Sequence, residues 1–335
     1  MQQRQIGPFQ VTAIGLGCMN LSHAYGVPPP AEQGERVLLA ALDAGVTLFD
    51  TAALYGFGAN ETLVGNVLAK HRNKFTLASK GGVAGVKFDD GVKRVIDGRP
   101  QTLRQNCEDS LRRLRTEVID LYYLHRWDKK VPIEDSVGAM SDLVRAGKVR
   151  SIGLSEVSAK TIRKAHAVHP ISAVQTEYSL WTRNPEIAVL ECCREIGATF
   201  VAFSPVARGF LCDTLHDVTQ LDAKDIRRNM PRFSPENYAA NLKLMAPYKA
   251  LAQEVGCTPA QLALAWLLHK VPSIVVIPGT TSVEHLHEDL GAADVQLSSD
   301  AMSRVEALIN QDTVKGHRYS AQAVAEVDTE EFPSA

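Results

Sequence analysis

The sequence predicts an α/β chain folded as a (β/α)8 barrel, with an N-terminal β-hairpin, a long loop after strand seven and a C-terminal tail. Three observations carry that prediction. A short apolar run followed by an amphipathic segment recurs eight times within 335 residues. The runs are continuously apolar rather than alternating, as parallel strands buried on both faces require. Gly15-Leu16-Gly17 lacks the third glycine and the early acidic partner that a doubly wound dinucleotide-binding sheet, the alternative, would show.

The first residues, "RQIGPFQV", read as the hairpin. The strand runs are "TAIGLG" from Thr12, "TLFD" from Thr47, "FTLASK" from Phe75, "IDLYYLH" from Ile119, "RSIGLS" from Arg150, "AVQTEY" from Ala173, "TFVAFSP" from Thr199 and "SIVVIPG" from Ser273. Helices are predicted over 31–45, 102–115, 134–147, 158–168, 258–269 and 282–293. Gly45 and Gly147 are suited to helix C-termini, Ser158 to an N-cap, and Thr258-Pro259 to an N-cap followed by proline in the first turn. Ser282, with a glutamate close behind it, is near a capping box. The whole chain, 1–335, reads as one domain, with the barrel over about 10–310. Segments 207–235 and 311–335 fall outside the repeat. The tail reads either as a partly disordered terminus or as a flap over substrate.

A formal net charge of −2 and a pI of about 6.6 give no electrostatic footprint for nucleic acid. No apolar run is long enough to span a membrane, and the first residues have no signal-peptide core. The six cysteines form no CxxC pair, as expected of reduced thiols in a cytoplasmic protein. Oligomeric state stays open.

In a barrel of this kind the chemistry sits at the C-terminal ends of the strands. Strand two ends in Asp50, with Tyr55 just beyond, strand three in Lys80 and strand four in His125. Singly, each of these has an ordinary structural reading. Together they place four ionisable groups at one mouth, where charges need partners. Lys80 beside Tyr55 is expected to bring the phenol below its usual pKa of ~10, with Asp50 holding the lysine. His125 offers an N–H to a carbonyl oxygen. The set suits protonation of an oxygen while a hydride from a cofactor attacks the carbon. No metal triad is apparent. Ser155 and Gln175 can bond a carboxamide, Phe203 can stack on a ring, and the 204–211 and 278–282 loops can meet phosphates.

With these motifs in order, the chain resembles the aldo-keto reductase superfamily over nearly its whole length, in the aryl-alcohol-dehydrogenase-like branch. The motifs are "FDTAALYG", "ASK" at 78–80, "DLYYLHRWD" at 120–128, "GKVRSIGLSE" at 147–156, "VQTEYSL" at 174–180, "FSPVARGFL" at 203–211 and "IPGTTS" at 277–282. The resemblance implies reversible NADPH-dependent reduction of an aldehyde or ketone, with Tyr55 as proton donor, Lys80 and Asp50 tuning it, and His125 orienting the carbonyl. It also implies a cofactor site over Gly17, Met19, Asp50, Ser155, Gln175, Phe203, Ser204, Pro205, Ala207, Arg208, Gly209, Gly279, Thr280, Thr281, Ser282, His285, Glu288 and Asp289. Many relatives carry lysine where Ser282 stands, arginine at His285 and asparagine at Asp289. Fewer cations for the 2′-phosphate of NADP leave NADH open as a cofactor. Tyr25, Val83 and Trp127 are candidate substrate residues, on loops that include 81–93 and 126–132. Two alternatives are a slow cofactor-binding regulatory subunit and a Schiff-base lyase using Lys80.

Overall fold

The computed structural model describes residues 2–89 and 91–333. Residue 90 of the predicted 81–93 loop and the last two residues of the tail lie outside them. Strands β1 (Gln3–Ile6) and β2 (Phe9–Thr12) pair antiparallel as the expected hairpin. The barrel strands are β3 (Leu16–Gly17), β4 (Leu48–Asp50), β5 (Thr76–Gly81), β8 (Ile119–Leu124), β9 (Val149–Ser155), β10 (Ile171–Glu177), β11 (Thr199–Phe203) and β12 (Val275–Ile277), parallel throughout. A parallel bridge between Ile14 and Val276 joins the first strand to the last.

Between β5 and β8 the predicted loop is instead a second hairpin, β6 (Val83–Phe88) and β7 (Gly91–Ile96). Asp-Gly between Phe88 and Val92 is a hairpin signal, and the loop reading overlooks it because the segment stands outside the eightfold repeat.

The helices in chain order are α1 (Ala31–Asp43), α2 (Ala59–Leu68), α3 (Pro100–Leu114), α4 (Ile133–Arg145), α5 (Ala159–Val168), α6 (Val189–Ile196), α7 (Pro235–Leu242), α8 (Met245–Val255), α9 (Pro259–Lys270), α10 (Val283–Gly291), α11 (Ser299–Leu308) and α12 (Ala321–Ala325). Ser158 caps α5 by accepting from the Thr161 amide, and Thr258 and Gln261 form a reciprocal capping box at α9. At α10 the box is absent. Ser282 accepts from the amide of His285, and Glu284 stands one position too early to reach back.

Side chains two apart on a strand share a face. Leu48, Ala78, Leu121, Ala173, Val201 and Val275 point into the barrel and pack together, with Ile6 and Val11 of the hairpin closing the lower end. Counting on by twos from this layer leads to Asp50, Lys80, Tyr123 then His125, Gln175 and Phe203 at the upper mouth. Gly153 makes room for Tyr123 in the interior, since a Cβ there would lie 2.5 Å from the ring. No helix among the described residues is long and apolar enough to cross a membrane.

The described part of the tail is packed, in keeping with a covering segment rather than a frayed end. Ala323 of its helix α12 stands in the wall of the cavity at the upper mouth, and Asp328 bridges to Val157 beside β9.

Candidate active site

Lys80 is fully buried and its ammonium has three partners. It donates to an Asp50 carboxylate oxygen, to the Thr51 carbonyl at 2.9 Å and to the Tyr55 hydroxyl at 3.2 Å. The other Asp50 oxygen accepts from Gln175 Nε2 at 2.8 Å. The ammonium also lies 5.0 Å from the Tyr55 ring centre and 5.9 Å from that of Tyr123. His125 meets the Tyr55 ring edge-on with centroids 5.7 Å apart. Its Nδ1 is buried and has no partner among the described residues.

The electrostatics correct one expectation. Burial raises the Tyr55 pKa, and Lys80 opposes this without overcoming it, so the phenol sits above its usual value rather than below. Burial also works against the Lys80 charge, but Asp50 and Tyr55 outweigh it and the lysine is held protonated. His125 is driven well below its usual pKa, first by burial and then by Arg126 and Lys80. The arrangement is therefore a protonated phenol beside a fixed ammonium and a neutral imidazole. It can donate a proton to an oxygen that His125 also contacts.

Asp50, Tyr55 and His125 line a cavity of about 510 Å³. All the predicted cofactor residues except Ala207 and Ser282 line it. Ala207 is buried within a turn where Ala207, Arg208 and Gly209 have consecutive positive φ values of 52, 56 and 91°. Such strain in a cavity wall is a mark of function. Ser282 serves as the α10 cap. Of the substrate candidates, Tyr25 lines the cavity. Val83 is buried against Tyr55, Ala52 and Leu54, and the Trp127 indole donates to the Val131 carbonyl at 2.7 Å, closing its own loop.

Several lining residues escaped the sequence reading: His23, Arg94, Arg126, and Tyr319, Glu326 and Val327 of the tail. Arg94 was hidden by the missed hairpin, and it binds Glu326 at 2.8 Å across the mouth. Arg126 falls in the predicted 126–132 substrate loop, with no local signal that singles it out within that loop. The tail contacts carry no local signal, because they depend on how two distant segments meet.

The tail is held by buried charge. Arg318 donates to both Glu156 oxygens at 2.7 and 3.1 Å, and Arg208 donates to Glu177 at 2.8 Å. Burial pushes Glu177 up, but the neighbouring arginines bring it below its ordinary value. Glu156 follows Ser155 directly, so the tail is moored next to the cavity wall.

Comparison with known proteins points to one family. The Aldo/keto reductase family model matches residues 13–310. A Glycine max protein described as "Probable aldo-keto reductase 1" is 43% identical over 327 residues, covering 95% of this chain and 93% of its own. The structure of a glycerol dehydrogenase from Gluconobacter oxydans superposes with a TM-score of 0.84 at 29% identity, over 91% of this chain and 94% of that one. The holo form of an aldo-keto reductase from Bacillus halodurans gives 0.72 at 25% identity, over 96% and 99%. With the family model and a relative of this likeness both spanning the barrel, the chain belongs to the aldo/keto reductase family.

Proposed function

We propose that the protein reduces an aldehyde or ketone to its alcohol, reversibly, with NADPH or NADH. The observation that carries this reading is the buried Asp50–Lys80–Tyr55 chain, ending at a phenol that faces neutral His125 in one cavity. Tyr55 gives its proton to the carbonyl oxygen as negative charge develops there. Lys80 stabilises the phenolate left behind, and Asp50 keeps Lys80 in place. His125 holds the oxygen through a neutral N–H.

The polar groups fit a nicotinamide. Arg126 donates to Ser155 Oγ at 3.1 Å, which leaves the serine O–H free to donate to a carboxamide oxygen. Gln175 uses its Nε2 on Asp50 and also meets the Tyr123 phenol, and its carbonyl oxygen is the group that would accept from the carboxamide NH2. The strained 207–209 turn and the α10 N-terminus would meet the phosphates. When bound, the cofactor supplies the hydride.

Consumption of NADPH with 4-nitrobenzaldehyde or 9,10-phenanthrenequinone tests the reading. Turnover no greater than that of Tyr55→Phe would refute it. Lys80→Met sharpens the test. Without the ammonium, the tyrosine ionisation seen in alcohol oxidation moves to higher pH, and kcat/KM falls by about 10²-fold or more. An unmoved limb in the pH profile of kcat/KM would remove Lys80 from its tuning role.

We also propose NADPH as the better cofactor, with a preference that depends on pH. Burial, and then Glu288, raise the Asp289 pKa to about 7. Below that value the carboxyl is neutral and a 2′-phosphate is tolerated; above it, the charge repels the phosphate. The NADPH-to-NADH ratio of kcat/KM is therefore expected to rise as pH falls from 8 to 6. Asp289→Asn should flatten this dependence and raise the ratio at pH 8 about tenfold, the effect of one nearby charge at about 1–2 kcal/mol. The same variant should be more stable at pH 8. A carboxyl raised from 3.8 to about 7 gives stability in its neutral form, which is lost as pH climbs through that window. Equal pH dependence in wild type and variant would dismiss Asp289 as the cause.

A further inference from the structure

Four guanidinium groups line the cavity, those of Arg94, Arg126, Arg208 and Arg227. Three are matched by carboxylates: Arg94 by Glu326, Arg208 by Glu177 and Arg227 by Asp225. Arg126 has no carboxylate within ion-pair distance among the described residues. It is half-buried, and one nitrogen is anchored by donating to the His125 carbonyl at 2.6 Å and to Ser155 Oγ at 3.1 Å. Its Nε and other terminal nitrogen have no protein partner among the described residues.

The acids on the same wall do not supply the missing charge. Asp50 is matched by Lys80 and Glu326 by Arg94. Glu288 and Asp289 belong to α10, beyond β12, and Asp289 is pushed towards its neutral form. An uncompensated cation thus stands in the cavity wall next in sequence to the histidine that meets the carbonyl. Leaving a partly desolvated charge unpaired is unfavourable, and a planar guanidinium with free donors matches a carboxylate.

We propose that Arg126 recognises a carboxylate on the substrate, so that the preferred substrates are aldehydes or ketones carrying a carboxylate within a few bonds of the carbonyl. The proposal rests on the reductase reading above and adds the substrate class to it. No new chemical step is involved: the carboxylate stays intact while the carbonyl takes up a hydride and a proton.

Two measurements separate this proposal from the reading beneath it. The first is the ratio of kcat/KM for 4-carboxybenzaldehyde to that for its neutral methyl ester, with NADPH. Wild type is expected to favour the acid by about tenfold or more, chiefly through KM. Arg126→Gln should abolish that preference, and Arg126→Lys should keep part of it. The second needs no turnover: benzoate should bind the cofactor-loaded protein more tightly than benzamide, and Arg126→Gln should remove the difference. An acid-to-ester ratio that stays the same in wild type and Arg126→Gln overturns the proposal. That includes the case where both rates fall together, which would leave Arg126 as only a brace for Ser155. Equal affinity of wild type for benzoate and benzamide also overturns it. Failure to reduce any carbonyl, 4-nitrobenzaldehyde included, while the benzoate preference and its loss in Arg126→Gln persist, would sink the reductase reading and leave the anion site standing.

Discussion

Tyr55→Phe is expected to lower kcat/KM for carbonyl reduction by about 10²–10⁴-fold, the usual contribution of a positioned proton donor. The substitution removes one oxygen atom. Lys80 loses its 3.2 Å contact but keeps Asp50 and the Thr51 carbonyl, so the buried cation stays matched. The ring still packs on Ala52, Leu54 and Val83. Stability and cofactor affinity, read by thermal unfolding and fluorescence titration, should therefore change little. Because burial keeps the phenol above its usual pKa, reduction by wild type should hold its rate well into alkaline pH. A variant that keeps more than about a tenth of the activity would mean that the proton comes from elsewhere.

The largest effect on stability is expected from Arg318→Leu. Arg318 is 3% exposed and Glu156 1%, so the substitution strands a buried carboxylate. Breaking such a pair from one side costs about 3–5 kcal/mol. For a chain of this size that is on the order of a 4–7 °C fall in Tm. Part of the loss should return in Arg318→Leu/Glu156→Gln, where no charge is stranded. Glu177 belongs to the same cluster and is held below its ordinary 4.5. Its contribution is present above that pH and is lost as pH falls through the lower folded value. The variant should also raise KM, because Tyr319, Glu326 and Val327 of the tail line the cavity. A loss under about 1 kcal/mol would show that this pair does not moor the tail.

The barrel is legible because its signal is repetitive and local: eight apolar runs, several followed by a helix with a recognisable cap or glycine stop. The positions of Asp50, Lys80 and His125 followed from the rule that strand ends meet at one mouth. What the sequence misjudged were balances and long-range meetings. Proximity to Lys80 pointed to a lowered Tyr55 pKa, but the depth of burial, which decides the sign, is not written in local sequence. Val83 and Trp127 looked like walls of a substrate loop. The hairpin buries one, and the other turns its indole back to its own backbone. Arg94 and Glu326 are unremarkable surface residues in sequence, and they acquire meaning only where the β6–β7 hairpin and the tail come together.

The bridge from Ile14 to Val276 has a consequence for the order of assembly. Adjacent βα units form contacts between near neighbours in sequence, whereas this bridge must bring together segments from opposite ends of the barrel. Closing so long a loop carries an entropic penalty that only the last strand can offset. Asp50, Lys80 and His125 all lie in the first half of the chain and can come together while later strands are still being made. The opposite wall cannot: it waits for β12, α10 and finally the tail. We expect Asp50 and Lys80 to meet early in folding, and to be buried only later, when Gln175 and the last strand arrive, so a nascent chain would hold its acid–base centre open to water until then.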